Sequence, residues 1–297
     1  MKYRRSALLF LLALLACAPA RAQQQPSPPP ADERLERILK GAGEAVERYQ
    51  SGLFSITFNE TLRDEELDKE LKPKKSKEFV FETVVLREAL SENEEDFYPK
   101  SLRRLKTVDG KPAKKGSRVP FYGYNVQSLG LLLPQYRKLY EFKLEGEEAV
   151  EGRAAFRVRA ERPGQPPASV EWERGPLGVG MRFRSNAPTY VLIWLDAESL
   201  DVLRLETHLV APFEFDSPRL FGAFGPSSRL RWTKQDYAVT FRRHTFKDPE
   251  QTLLVPAAAE WLTFIEGAGH PRKRASIRFS NYQRFRSDVK IIEEPDN

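Results

Sequence analysis

The chain has 297 residues, with 48 Lys and Arg against 42 Asp and Glu, 3 His and a formal charge of +6. That length allows one large β-rich domain or two small ones. Lys2, Arg4, Arg5 and Arg21 stand in residues 1–22 with no acidic residue among them, so the remainder is nearly neutral and has no global electrostatic case for binding nucleic acid.

Residues 1–22 read as a secretory signal peptide. A basic start precedes the apolar run ALLFLLALLA, which is too short to span a membrane, and Ala20-Arg21-Ala22 supplies a small-x-small cleavage pattern before Gln23. The expectation is an exported, periplasmic chain whose mature part does not span a membrane. The only cysteine, Cys17, falls inside this segment, which leaves the mature chain without disulfide or thiolate-held metal. A second reading makes Cys17 a lipid attachment site of an outer-membrane lipoprotein, although Leu15 stands where such signals prefer a small residue.

Residues 23–31 form a Pro/Gln-rich linker expected to stay extended. A helix follows over residues 32–50, where Leu35, Ile38, Leu39, Ala42, Val46 and Tyr49 build one apolar stripe. Asp32 is a candidate N-cap. Gly41 and Gly43 weaken the middle by about 1 kcal/mol each against alanine, so the helix needs a surface to lie on.

The period then changes to two. Phe54, Ile56 and Phe58 alternate with polar residues, and strands are also predicted at 79–87 and 96–108, the latter ending in the turn Asp109-Gly110. A charged loop is expected between the first two. Gly130 and Pro134 weaken a helical candidate at 126–136. A hairpin around Glu151-Gly152 joins 140–147 to 154–161, and the apolar run 191–195 pairs back onto 202–210. Later strands are expected at 238–246, 261–266 and 275–285, and a loose tail at 293–297. No internal repeat is present. The pattern is α+β, mainly β: an antiparallel sheet with an N-terminal helix packed on it, in one domain over 32–292.

No catalytic constellation emerges. His208, His244 and His270 lie at no metal-ligand spacing, and His208 shares a strand face with Arg204 and Glu206. Gly225-Pro-Ser-Ser228 lacks the second glycine of a nucleophile elbow, and the three glycines of 175–180 have no phosphate-binding context. The acidic run 92–96 reads as a solvated loop. The lysine runs 72–77 and 111–115 read as loops between strands that keep strand ends soluble, or as contacts for anionic headgroups or an acidic partner. No enzyme activity, cofactor or metal is expected. Phe54, Ile56, Phe58, Phe79, Phe81 and Trp194 put large apolar groups on predicted strands. They form either an ordinary core or the lining of a greasy groove in a curved sheet.

Several segments resemble known proteins. The run NVQSLGLLLP from Asn125, the run YEFKLEGEEAVEGR from Tyr140 and the run FSNYQRF from Phe279 resemble uncharacterised exported bacterial proteins of acidobacterial type. The run VLIWLD from Val191, returning on VLRLE from Val202, is similar to a hairpin of the outer-membrane lipoprotein carrier (LolA-like) superfamily. The resemblance implies an incomplete, strongly curved β-barrel with helices over its open mouth, which binds a lipid, a lipoprotein acyl chain or another apolar ligand without catalysis. This chain is longer than a minimal carrier and shows no marker for the carrier's receptor partners. The alternative is a cell-envelope interaction or scaffold module with a solid core, no small ligand and another envelope protein as its partner.

Overall fold

The structure is a computed structural model, and it describes residues 31–54, 56–89, 97–117, 119–120, 122–124, 128–174, 181–217, 228–247, 250–267 and 272–284. The signal peptide, Cys17, linker residues 23–30, the runs 92–96 and 175–180, residues 225–227, His270 and the tail 293–297 lie outside the described residues.

Helix α1 covers Ala31–Leu53. It begins on the last residue of the expected linker and runs three residues beyond the predicted end. Asp32 therefore sits inside the first turn with Glu33, where both charges meet the positive end of the helix dipole, and is not a cap. The predicted stripe is buried at Ile38, Leu39, Ala42, Val46 and Tyr49, and continues through Ala45 and Leu53.

Strands β1 (Ile56–Leu67), β2 (Pro73–Ala89) and β3 (Phe97–Val108) follow, and β4 (Lys111–Pro112) closes the first run. The charged loop expected before residue 79 is mostly strand, because its charges pair across the ladder. Glu66 faces Lys75 with 2.9 Å between carboxylate and ammonium, and Arg63 faces Glu78. The first lysine run is likewise largely strand, with Lys74, Lys75 and Lys77 opening β2, whereas in the second only Lys111 and Pro112 are strand and residues 113–115 are loop and turn.

The helical candidate at 126–136 resolves into a 3₁₀ turn, Gly130–Leu132, and one short helical turn, α2 (Pro134–Arg137). Leu133 between them is extended, with φ −69° and ψ 143°. The proline ring after it disfavours helical backbone there, and proline at the first helical position then restarts the helix.

Next come β5 (Glu141–Val150), β6 (Arg153–Glu161), β7 (Ser169–Arg174), β8 (Met181–Asn186), β9 (Thr189–Asp196), β10 (Val202–Leu209) and β11 (Phe213–Ser217). The long strands β12 (Ser228–Lys247), β13 (Glu250–Glu266) and β14 (Arg272–Arg284) are the last elements among the described residues. Turns Asp109-Gly110 and Glu151-Gly152 both have positive φ at both residues, as a two-residue hairpin turn demands. Pro256 is tolerated inside β13 because it sits at a register shift, opposite Phe241.

The main sheet runs β4-β3-β2-β1-β14-β13-β12-β10-β9-β6-β5, with β11 added beside β12. Its pairs are antiparallel, and the first long strand lies beside the last, paired from Ile56↔Arg284 to Leu67↔Arg272 with one register shift between Thr57 and Asn59. The path ends on β4 at one edge and β5 at the other, so the sheet is not closed. The strands β7 and β8 form a separate hairpin. This is the mainly β, open-sheet architecture that the sequence indicates. Among the described residues no helix is long and apolar enough to cross a membrane.

One large cluster of buried side chains occupies the inner face. It joins α1, Tyr124, Leu129, Leu131, Leu132, Leu133 and strands on both sides of the β1–β14 seam. A smaller cluster of Ala155, Trp194 and Leu203 lies apart from it, with Val150 and Leu192 packed against it. Strand alternation explains the split: Ile193 and Leu195 join the large cluster, while Leu192 and Trp194 point the other way.

Candidate apolar site and its interior ion pair

The period of two decides what faces inward. On β1 the inner positions are Ile56, Phe58, Glu60 and Leu62, and on β2 they are Phe79, Phe81, Thr83 and Val85, all buried. Four of the six predicted site residues thus meet on one surface. Phe58 packs against Phe279 and Tyr282, with ring centroids 5.7 and 5.5 Å away, and Phe79 stacks on Phe81 at 6.4 Å. Phe54, just past the end of α1, is half-buried against the same cluster. Trp194 belongs to the separate cluster, where its indole N–H donates to Glu148 and Arg204 lies over its ring at 5.3 Å.

The chain itself covers this face. Ile56, Phe58, Phe79 and Phe81 are between 0 and 5% exposed. Tyr49 of α1 meets Phe241 edge-on at 5.7 Å, and its hydroxyl contacts that of Tyr124. Burial raises the pKa of both phenols, so both stay neutral and available as hydrogen-bonding groups.

Charged residues inside this apolar face were missed by pattern reading. Glu60 is fully buried, and its Oε2 lies 2.8 Å from Nη2 of Arg103. The Thr83 hydroxyl donates to Glu60 Oε1 at 2.5 Å. Arg103 Nη1 donates to the Tyr122 carbonyl at 2.6 Å, and its guanidinium lies over the Phe81 ring at 4.0 Å. Burial pushes the Glu60 carboxyl up, against the opposing pull of Arg103 and Thr83. Gly123 permits the close approach of this segment: a Cβ there would stand 2.7 Å from Arg103 Nη1. The one signal in the sequence was Glu60 itself, an acid at an inward position between Phe58 and Leu62.

A concavity of about 840 Å³ lies between the C-terminal half of α1 and the β12–β13 hairpin. Its lining mixes charged and polar side chains, Glu44, Arg48, Asp201, Arg243 and Gln251 among them, with the apolar Leu253 and Leu254. Arg243 donates to Asp201 Oδ2 from Nη2 at 2.7 Å and from Nε at 3.0 Å.

Of the histidines, His208 is bracketed by carboxylates. Its Nδ1 is 2.9 Å from Asp236 Oδ1 and its Nε2 is 2.9 Å from Glu206 Oε2. It shares a face with Glu206, as the strand reading has it. Burial and the nearby Arg242 lower the pKa of His244. Among the described residues no three His, Cys, Asp or Glu side chains gather as a metal site.

No protein-family model and no curated protein matches this chain. Solved structures do. A LolA superfamily protein from Nitrosomonas europaea is 10% identical over 87% of this chain and 97% of its own, with a TM-score of 0.37. A domain described as an outer membrane lipoprotein-sorting protein, from Vibrio parahaemolyticus, is 12% identical over 86% and 95%, with a TM-score of 0.41. A DUF1329 family protein from Desulfovibrio piger is 11% identical over 85% and 95%, with a TM-score of 0.39. These are structures the chain is similar to, and the first carries the superfamily name that the hairpin from Val191 resembles.

Proposed function

We propose that the chain is an exported, single-domain, non-catalytic binding protein for an apolar chain, such as a lipid or a lipoprotein acyl group, in the periplasm. One observation carries this reading. Among the described residues, the inner face of an unclosed sheet is covered by α1, Tyr124 and the residues Leu129–Leu133. Such a cover can exchange for a ligand of like area. Burying Ile38, Leu39, Val46, Tyr49 and Leu53 is worth about 8–15 kcal/mol, and an acyl chain of about 16 carbons is worth about 12 kcal/mol before ordering costs. The two are close enough for ligand and helix to compete for Ile56, Phe58, Phe79 and Phe81.

Native mass spectrometry on mature protein purified from a bacterial periplasm, followed by organic extraction, tests the reading. The expected result is an added mass that extracts as a lipid or fatty acid. An apo mass that persists after incubation with lipids overturns it. That outcome supports the second reading, an envelope interaction module with a solid core, which the near-complete burial of the inner aromatic residues favours.

A further inference from the structure

We infer that Arg103, paired in this structure with Glu60, is the recognition point for the head of a monocarboxylate with a long apolar tail, which takes the place of Glu60 on the guanidinium. This rests on the apolar-chain reading above and names its ligand class.

The argument begins with what Arg103 leaves unused. Nη1 is committed to the Tyr122 carbonyl. Nη2 is 2.8 Å from Glu60 Oε2 in an ion pair, and Nε has no hydrogen-bond partner among the described residues. The Nε–Nη2 edge is the side of a guanidinium that receives a planar carboxylate through two parallel hydrogen bonds. Glu60 offers Nη2 one oxygen, its other oxygen being held by Thr83. The internal carboxylate therefore leaves Nε unsatisfied.

An ion pair in an apolar interior is a poor stabilising device, since desolvation of both ions offsets their attraction. It is a good selectivity device, because an unpaired guanidinium in an apolar interior is costly and a carboxylate relieves that cost. The surroundings suit a tail: Phe58, Leu62, Phe81 and Phe279 are all buried around the pair. Charge and protons balance on exchange. A ligand arriving as the acid passes its proton to Glu60, and one arriving as the carboxylate leaves Glu60 to take a proton from solvent. Neutral Glu60 keeps its hydrogen bond from Thr83, and Arg103 keeps one carboxylate partner throughout.

The test compares palmitate with hexadecanol, which shares the tail and lacks the carboxylate, in equilibrium binding to delipidated mature protein. Wild type is expected to hold palmitate at least tenfold more tightly. Glu60→Gln removes the internal competitor and tightens palmitate further. The double variant Arg103→Met with Glu60→Gln removes both buried charges together, so folding is preserved on circular dichroism, and it binds the two ligands alike. Equal binding by wild type, or a palmitate preference that survives in the double variant, overturns this inference and leaves the apolar-chain reading standing. Binding of neither ligand overturns that reading itself. A phosphodiester-headed lipid that competes as well as palmitate overturns the carboxylate assignment alone.

Discussion

Arg103 Nη2 and Glu60 Oε2 stand 2.8 Å apart on a sheet face whose other inward residues nearby are Phe58, Leu62, Phe81, Thr83 and Phe279. Removing one member strands the other. Arg103→Met alone is expected to cost about 3–5 kcal/mol, because an uncompensated carboxylate remains buried, and the double variant with Glu60→Gln much less. Urea unfolding of the single and double variants measures this coupling. Additive losses would show that the pair does not act as a unit.

The helix and the sheet can be locked together. A Cβ built on Gly41 lies 3.8 Å from the Cβ of Leu200 in the β9–β10 turn, close to the usual disulfide separation. No cysteine follows Cys17 in the sequence, so Gly41→Cys with Leu200→Cys gives a single defined bridge. The oxidised protein is expected to lose uptake of palmitate, and reduction to restore it. Equal uptake in both states would show that α1 need not move for binding.

Core and outer-face aromatic residues should separate cleanly. Phe58→Ala is expected to destabilise by about 3–5 kcal/mol, and Phe58→Asp to unfold the protein, since the site is filled. Trp194→Ala, in the small outer cluster, is expected to leave extracted ligand unchanged. Circular dichroism with the extraction assay distinguishes them. Loss of ligand in a folded Trp194→Ala protein would place the site on the other face.

Asp196 sets an acid limit. It is 4% exposed and accepts from the Ser199 backbone N–H at 2.8 Å and hydroxyl at 2.9 Å, with Arg153 Nη2 2.7 Å from its other oxygen. Burial works against its charge, yet these partners prevail and hold its carboxyl below the usual aspartate value. A carboxyl lowered on folding stabilises the protein above its unfolded value of about 3.9, and that contribution fades as pH falls toward the lower folded value. Asp196→Ala should cost about 1–3 kcal/mol at neutral pH and lose less stability below pH of about 4 than wild type. Urea midpoints across that range would show parallel curves if Asp196 were not involved.

Alternating and three-four spacings are local properties, and they were legible. The α1 stripe, the hairpins at Asp109-Gly110 and Glu151-Gly152 and the inward set Ile56, Phe58, Phe79 and Phe81 follow from side-chain direction along one element. Where pairing across the ladder neutralises charge, the same reading fell short. Glu66 and Lys75 look like a solvated loop until each is placed opposite the other, and Pro256 looks like a strand breaker until the register shift beside it is seen. Trp194 was grouped with the inner aromatics because a one-residue step in an apolar run leaves no mark in composition.

By itself the sequence determined the class of the fold: short-range periodicity and turn chemistry dictate an α+β, mainly antiparallel chain that opens with an amphipathic helix. Only the tertiary structure decided that β1 lies beside β14, that α1 fills the inner face and that Arg103 reaches Glu60. Those depend on contacts between residues dozens to hundreds of positions apart, and no local pattern encodes which strand edge, or which buried charge, will be the partner.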